Sequence, residues 1–328
     1  MNEEYVCGLD VGGTKMAALV ADVTGPLARV SAPTVKTGTV RALAGQALDL
    51  LDAACRQAGV PGAAVQKLGV ATCGPFVPLD GMLGIAPPNV CGARSKAADL
   101  PNDWDVIPLE QVLRERFQTV AVRNDCAAAL LAERQFGAAR NEPNCVYVTW
   151  STGIGFGLCV DGHILQGKRG NAGHAGHMLM DPLSDAECGC GNLGDIEAIA
   201  AGRNLANRLG CDTADLFNRA RAGEAAAVEI ANDAARWLGR ALYNVVAVLD
   251  TRLFLFGGGV WNHHGDWLAP LLRREIGRYF PALTDGVEIT SATLGARVTD
   301  VGALALVLPP AWLPLWNESQ PWNRLSEA

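Results

Sequence analysis

The segment Cys7-Gly8-Leu9-Asp10-Val11-Gly12-Gly13-Thr14-Lys15-Met16-Ala17-Ala18-Leu19-Val20 constrains this chain more than any other. An apolar strand runs into an acidic residue, two glycines, a hydroxyl and a lysine, and a second apolar strand leaves. The glycines let the backbone turn sharply and approach a ligand with no Cβ in the way. Exposed amides together with Thr14 and Lys15 can grip a polyphosphate, while Asp10 can orient a hydrated Mg²⁺. This is a strand–turn–strand phosphate loop, distinct from the P-loop, in which a helix follows the glycines. An ordinary Gly-Gly hairpin is the plain alternative.

A chain of 328 residues exceeds one typical hydrophobic core, so two domains or lobes are expected. Apolar residues at 49% and charged residues at 19% describe a globular protein, not a disordered one. The net charge of −7 argues against general nucleic-acid binding. No apolar run is long enough to span a bilayer, and Met1-Asn2-Glu3-Glu4 lacks the basic head of a signal peptide, so a cytoplasmic protein with no membrane partner is expected. Of ten cysteines, Cys7, Cys55, Cys126, Cys145 and Cys159 sit singly in apolar or Ala-rich stretches, as reduced buried thiols do. Only Cys188-Gly189-Cys190 is clustered.

Along the chain, paired strands are expected over Tyr5 to Leu9 and Met16 to Asp22, with a third near Ala28 to Val35. Val40 to Gly59 has helical periodicity, Leu68 to Thr72 reads as a short buried strand ending at Gly74-Pro75, and a loop runs from Pro87 to about Asp103. A short strand at Val120 to Val122 ends at Asn124-Asp125, before an Ala/Leu-rich helix over Cys126 to Phe136. Cys145 to Trp150, a glycine-rich stretch and Leu158 to Val160 then repeat the opening pattern about 140 residues later, which hints at a duplicated architecture. Two related lobes, each with a phosphate loop, would face one another across a cleft, where small ligands bind. Further on, helices are expected over Ile196 to Leu209, Ala225 to Val248 and about Trp267 to Tyr279. A buried strand at Arg252 to Phe256 meets Gly257-Gly258-Gly259, and Val301 to Leu308 reads as a last apolar helix. The Pro-rich tail from Pro309, with Trp312, Trp316 and Trp322, reads as an extension that packs on the surface or on a partner.

Asp125, at a strand end opening a helix, is well placed to accept a proton from a hydroxyl, and equally suits a helix N-cap. Ser151 to Gly157 offers small residues and backbone amides after a strand but does not match the dinucleotide fingerprint, so a nicotinamide dehydrogenase is disfavoured. Gly257-Gly258-Gly259 permits close approach of a flat ligand such as a purine, or serves as a hairpin or a helix start. Gly162 to Arg169 nearly fits the Walker A spacing and fails where Arg169 replaces the Mg²⁺-binding hydroxyl, so it reads as turn and loop. His177, Cys188, Cys190 and Asp195 make an N, S, S, O set for Zn²⁺. Closed by four protein ligands, such a site is structural, and the metal-free alternative is a pair of buried thiols beside a histidine. His263-His264 follows a turn and reads as solvated.

Taken together, these segments resemble the ROK family (repressor, open reading frame, kinase), which includes bacterial glucokinases, fructokinases, allose kinases, N-acetylmannosamine kinases and sugar-responsive repressors. The resemblance covers about Tyr5 to Leu306. Asp10-Val11-Gly12-Gly13-Thr14-Lys15 looks like the family's first phosphate motif, and Ser151 to Gly157, with Thr152, Gly153 and Gly155, its second. Gly257, Gly258 and Gly259 match the adenosine-side loop, and Asn124-Asp125 the pair whose Asp is the catalytic base. Pro88-Asn89 matches the sugar-contacting Pro-Asn, and Gly74-Pro75 the turn beside the sugar. Ala172 to His177 aligns with Ala-Gly-Glu-x-Gly-His, and Cys188 to Glu197 with Cys-x-Cys-Gly-x-x-Gly-Cys-x-Glu. Three departures stand out: His174 replaces a sugar-binding Glu, Asp195 replaces the third zinc cysteine, and Ala127 replaces a second Asn.

The resemblance implies an α/β, actin-like ATPase (ribonuclease H-like) fold with two lobes around an interlobe cleft. The small lobe would be 1–118 plus a C-terminal helix 305–328, and the large lobe 119–304 with a zinc loop at 177–197. It implies an ATP-dependent kinase using ATP, Mg²⁺ and structural Zn²⁺, acting on a hexose or modified hexose, most simply at O6, and assembling as a homodimer. Asp125 would be the base, with Gly74, Asn89, Asn124, His174, His177 and Glu197 around the sugar. Because imidazole can donate as well as accept, His174 in place of a carboxylate changes the preferred hydroxyl or amino pattern. The other reading is a non-catalytic sugar sensor. Only Met1 to Glu4 precede the first strand, so no DNA-binding helix-turn-helix is expected.

Overall fold

Tyr5–Val11 (β1) is apolar without alternation because both its faces are covered. In the computed structural model, which describes residues 4–95 and 100–325, β1 pairs antiparallel with Lys15–Asp22 (β2) and parallel with Val65–Thr72 (β4). Met1 to Glu3, and residues 96–99 of the loop expected to reach Asp103, lie outside the described residues. β3 (Gly25–Pro33) extends the antiparallel side, and Ala42–Ala58 (α1) lays Leu43, Ala47, Leu50, Leu51 and Ala54 on the sheet. After β4 come the small hairpin Phe76–Leu79 (β5) and Met82–Ile85 (β6), the helix Leu109–Arg114 (α2), and β7 (Thr119–Asn124), parallel to β4. Asp125–Phe136 (α3) follows at once, giving the sheet order β3-β2-β1-β4-β7.

The second unit starts with Cys145–Trp150 (β8), Ile154–Val160 (β9) and His163–Ile164 (β10). The helical run expected over Ile196 to Leu209 is two helices, Ile196–Ala200 (α4) and Gly202–Leu209 (α5). Ala201 is extended between them at ψ 144°, and Gly202 N–H donates to Ser151 O at 2.9 Å, so a tertiary contact with the glycine turn interrupts the helix. Thr213–Arg221 (α6) and Ala225–Leu249 (α7) lead to Leu253–Gly257 (β11). The next helix, Gly259–Ile276 (α8), begins eight residues before the expected Trp267, because Val260, Trp261, His264 and Gly265 face the core despite their poor helix propensity. Pro281–Thr284 (α9) and Glu288–Ser291 (β12) complete the order β10-β9-β8-β11-β12. Each sheet is thus an antiparallel hairpin pair continued by two parallel strands, the same topology twice, as the internal echo in the sequence suggested.

The chain returns to the first unit through Val298–Ala305 (α10) and Leu313–Ser319 (α11), so the expected helix over 305–328 is, over its described residues to 325, a loop, a short helix and single turns. By its contacts the first unit comprises 1–140, 166–171 and 296–328, and the second 141–165 and 172–295. The boundary expected at 118/119 therefore falls after 140, because β7 hydrogen-bonds to β4 and α3 packs on α10. The tail packs on its own unit: Trp316 is fully buried, its Nε1 donates to Val23 O at 3.1 Å, and the Trp322 ring lies 4.9 Å from Phe136.

α10 touches the sheet through glycines. A Cβ on Gly69 would stand 1.9 Å from Ala303 O, and one on Gly302 2.5 Å from Ala128 O of α3. Gly69→Ala must push backbone aside and is expected to cost about 3 kcal/mol in urea unfolding. An unchanged midpoint would show that α10 yields freely.

Candidate active site

Three parallel strands of the first unit end level with one another: Val11 pairs with Thr72, and Thr72 with Asn124. Open α/β sheets bind ligands beyond such carboxyl ends. Asp10 is the last acidic residue of β1, and Asp125 the first residue of α3. Burial pushes the Asp10 carboxyl up to about 7, helped by the nearby carboxylates of Asp300 and Asp125, against the lowering effect of Thr299 and Arg29. The thiol of Cys73, just past β4, is pushed to about 12 by burial and by the same two carboxylates, Asp125 and Asp10. By the strand register, Asp10, Cys73 and Asp125 stand together at the carboxyl ends of β1, β4 and β7.

The turn between β1 and β2 closes with Gly12 N–H donating to Lys15 O at 3.0 Å. Thr34 braces it from outside, its hydroxyl donating to Gly12 O at 2.7 Å and its N–H to Thr14 O at 2.9 Å. A Cβ on Gly13 would lie 2.1 Å from Asn89 Nδ2, so the Gly12-Gly13 turn and Asn89 are packed against each other. Gly74 precedes Pro75 in a cis peptide next to β5.

Asn124 and Asp125 divide the helix start between them. Asn124 is the N-cap of α3, its Oδ1 accepting from Cys126 N–H at 3.0 Å and Ala127 N–H at 3.4 Å. The cap alternative for Asp125 thus belongs to its neighbour, although Asp125 Oδ1 also accepts from Cys126 N–H at 2.8 Å.

In the second unit the glycine turn is short, Ser151 to Gly153, closed by Ser151 N–H to Gly153 O at 2.9 Å. Gly155 lies inside β9, paired with Thr149. Ser151, Thr152, Gly259, Val260, Thr213, Ala214, His263 and His264 line a cavity of about 180 Å³. Gly258, with φ at 90°, starts α8 beside it, and Gly257 ends β11 so close to Tyr147 that a Cβ would meet the phenol oxygen at 2.4 Å. The expectation that His263-His264 is solvated fails for His264, which is 6% exposed and stacked on Phe217 at 5.0 Å, because α8 starts early and turns it inward.

Glu197 is a strut. Its Oε2 accepts Ile154 N–H at 2.9 Å, at the end of the glycine turn, and Cys188 Sγ donates to Oε1 at 3.3 Å. His174 stacks on His177, with 6.1 Å between centroids. His177, Cys188, Cys190 and Asp195 place their ligand atoms within 4.8 Å of one another. From His177 Nδ1 it is 3.1 Å to Asp195 Oδ2 and 3.6 Å to each sulfur. Zinc with sulfur at about 2.3 Å and nitrogen at about 2.0 Å needs tetrahedral donors roughly 3.3–3.8 Å apart; the two nitrogen–sulfur distances fall in that range, and the nitrogen–carboxylate distance is slightly shorter. Asp195 serves twice, since its Oδ1 caps α4 by accepting Ala198 N–H at 2.7 Å. Asp195 raises the His177 pKa, and burial raises that of Cys188.

The motif reading missed Thr299, Asp300 and Arg29 around Asp10, and Thr213 and His264 around the second turn. The only signal for the first group was a Thr-Asp pair ahead of an apolar run, a pattern that ordinary helix starts share.

The sequence model of the ROK family matches residues 6–309. The chain belongs to the ROK family. It is 28% identical over 340 residues to a glucokinase of Aeropyrum pernix, covering 95% of this chain and 99% of that one. It is 34% identical over 288 residues to an N-acetylmannosamine kinase of Salmonella newport, covering 84% of this chain and 91% of that one. A ROK hexokinase from Thermus thermophilus matches with TM-score 0.73 and 34% identity over 92% of this chain and 97% of its own. A ROK family glucokinase from Streptomyces griseus, in complex with glucose and AMPPNP, gives TM-score 0.71 and 26% identity over 92% and 99%. With these ROK relatives the chain shares the two-lobed, actin-like ATPase α/β fold.

Asp10 supplies a test of the electrostatics. Its folded pKa of about 7 exceeds the unfolded value, so the folded state binds more protons between about pH 4 and pH 7 and loses stability as pH rises through that window. Asp10→Asn abolishes this loss. The stability difference between variant and parent is expected to move in favour of the variant from pH 4 to pH 8 in urea melts, and a flat difference would contradict the shifted carboxyl.

Proposed function

We propose that this ROK protein is an ATP-dependent sugar kinase that transfers the γ-phosphate of ATP to a hydroxyl, O6, of a hexose or an amino or otherwise modified hexose. The observation that carries this reading is the placing of Asp10 and Asp125 at the level carboxyl ends of β1 and β7, on either side of β4, beside a glycine turn in contact with Asn89. The named activities of the relatives, glucokinase and N-acetylmannosamine kinase, support the same reaction class.

Asp125 takes the proton from the attacking hydroxyl as its oxygen bonds to the γ-phosphorus and the bond to ADP breaks. Gly12, Gly13, Thr14 and Lys15 hold phosphates through backbone amides, hydroxyl and ammonium, and Thr152 and Gly153 do so from the second turn. The cavity at Ser151, Thr152 and Gly259 suits the nucleoside end. Mg²⁺, when bound, neutralises phosphate charge, and Asp10 is the residue suited to orient its hydration shell. Gly74, Asn89, Asn124, His174, His177 and Glu197 are the sugar-contacting set that the family pattern assigns. Three of them have prior commitments: Asn124 Oδ1 caps α3, which leaves its amide NH₂ to donate, Glu197 braces the glycine turn, and His177 turns Nδ1 to Asp195 and the two cysteines, which leaves Nε2 for a ligand. His174 in place of a carboxylate favours a sugar that presents both a donor and an acceptor at that position.

The test is coupled ADP release over hexoses, amino sugars and N-acetyl sugars. Asp125→Asn is expected to keep fold and sugar binding while losing about 10²–10⁴-fold in turnover. Turnover near that of the parent would remove Asp125 from its role.

His177, Cys188, Cys190 and Asp195 are proposed to hold a structural Zn²⁺, supported by four donors gathered within 4.8 Å of one another. Stripping with a chelator is expected to lower the melting temperature by about 5 °C, restored by added zinc in the parent and not in Asp195→Ala. Purified protein without stoichiometric zinc would argue for the metal-free cluster.

A further inference from the structure

Thr299 and Asp300 lie in the first turn of α10. Thr299 Oγ1 donates to Asp10 Oδ2 at 2.8 Å, and among the described residues no other side chain hydrogen-bonds that carboxylate. Asp300 is 3% exposed and accepts Arg29 Nε on Oδ2 at 2.7 Å, while its Oδ1 has no hydrogen-bond partner among the described residues. Arg29 comes from β3, where it pairs with Leu19 of β2. One helical turn is therefore fastened to the sheet twice, to β1 through a hydroxyl and to β3 through a half-buried ion pair. Gly8, Gly69 and Gly302 hold α10 close enough for both bonds, since a Cβ on any of them would stand 3.0 Å or less from a neighbouring atom.

A carboxylate between two like charges, those of Asp300 and Asp125, has no reason of its own to keep one rotamer. A donor on one oxygen fixes the rotamer and leaves the other oxygen for a ligand. We propose that Thr299 is a positioning residue for Asp10, carried on a turn that the Arg29–Asp300 pair fixes, and that it thereby sets how tightly the protein holds metal-complexed nucleotide. This inference rests on the reading of Asp10 as the residue that orients the Mg²⁺ of Mg·ATP.

The experiment is calorimetric titration of the full chain with a non-hydrolysable ATP analogue, with and without Mg²⁺. Thr299→Val removes the donor at nearly constant volume, Thr299→Ser keeps it, and Thr299→Ala removes it without a new methyl contact should valine disturb folding. Loss of the donor is expected to weaken Mg²⁺-dependent binding about tenfold, with metal-free nucleotide binding and sugar binding unchanged, and serine is expected to restore affinity to within about twofold of the parent. Mg²⁺-dependent affinity equal to that of the parent in both donorless variants overturns the inference. So does a serine variant as weak as valine, since that marks a packing effect. A parent chain with no Mg²⁺-dependent nucleotide binding at all overturns the kinase reading itself, and the inference with it.

Discussion

The first unit depends on the close seating of α10 between the sheet and α3. Helices normally pack about 8–10 Å apart through interlocking side chains. Here Gly69 removes the side chain facing Ala303 O, and Gly302 removes the one facing Ala128 O. Backbone then meets backbone, and a small residue in α3 becomes intelligible: Ala128 lies against Gly302 and clusters with Ala303 and Ala71. This seating delivers Thr299 to Asp10 and holds the helix whose first residue is Asp125. The two carboxylates of the proposed chemistry are both set by contacts well outside their own strands.

The tail extends the same logic. Trp312, Trp316 and Trp322 are buried on the first unit, and Phe136 at the far end of α3 lies between two of them, 6.1 Å and 4.9 Å from their rings. The helix that starts at Asp125 is thus packed by α10 along its length and by indoles at its C-terminal end. In the second unit the corresponding brace is Glu197. Its carboxylate joins the glycine turn to the cysteine cluster, and the helix carrying it is capped by Asp195, a member of that cluster. A side chain singled out for ligand contact can therefore also be the part that shapes the loop.

Much of the fold was legible because its signals are local. The unalternating apolar strands, the glycines at their ends and the doubled strand–turn–strand pattern all follow from burial and turn chemistry within a few residues. The failures came where distant contacts override local preference. Gly259 to Asp266 has weak helix propensity, yet it forms the start of α8 because Trp261 and His264 are drawn into the core. Ile196 to Leu209 has one continuous period, yet it breaks at Ala201, where Ser151 takes the Gly202 N–H. The boundary at 118/119 failed for the same reason, as no local feature tells that β7 pairs with β4.

The candidate site divides along the same line. The sequence by itself determined the chemistry on offer: Asp10 and two glycines in a turn, Asn124-Asp125 at a helix start, and an N, S, S, O ligand set at residues 177–195, since residue type and short spacing suffice for each. Only the tertiary structure decided that Asn124 caps the helix, that Asn89 lies on Gly13, that Glu197 braces the second turn, and that Thr299 and Asp300 stand behind Asp10. Those facts join residues up to 289 positions apart, and hydrogen bonds and charges act through space at a few ångströms, a distance that no window of sequence encodes.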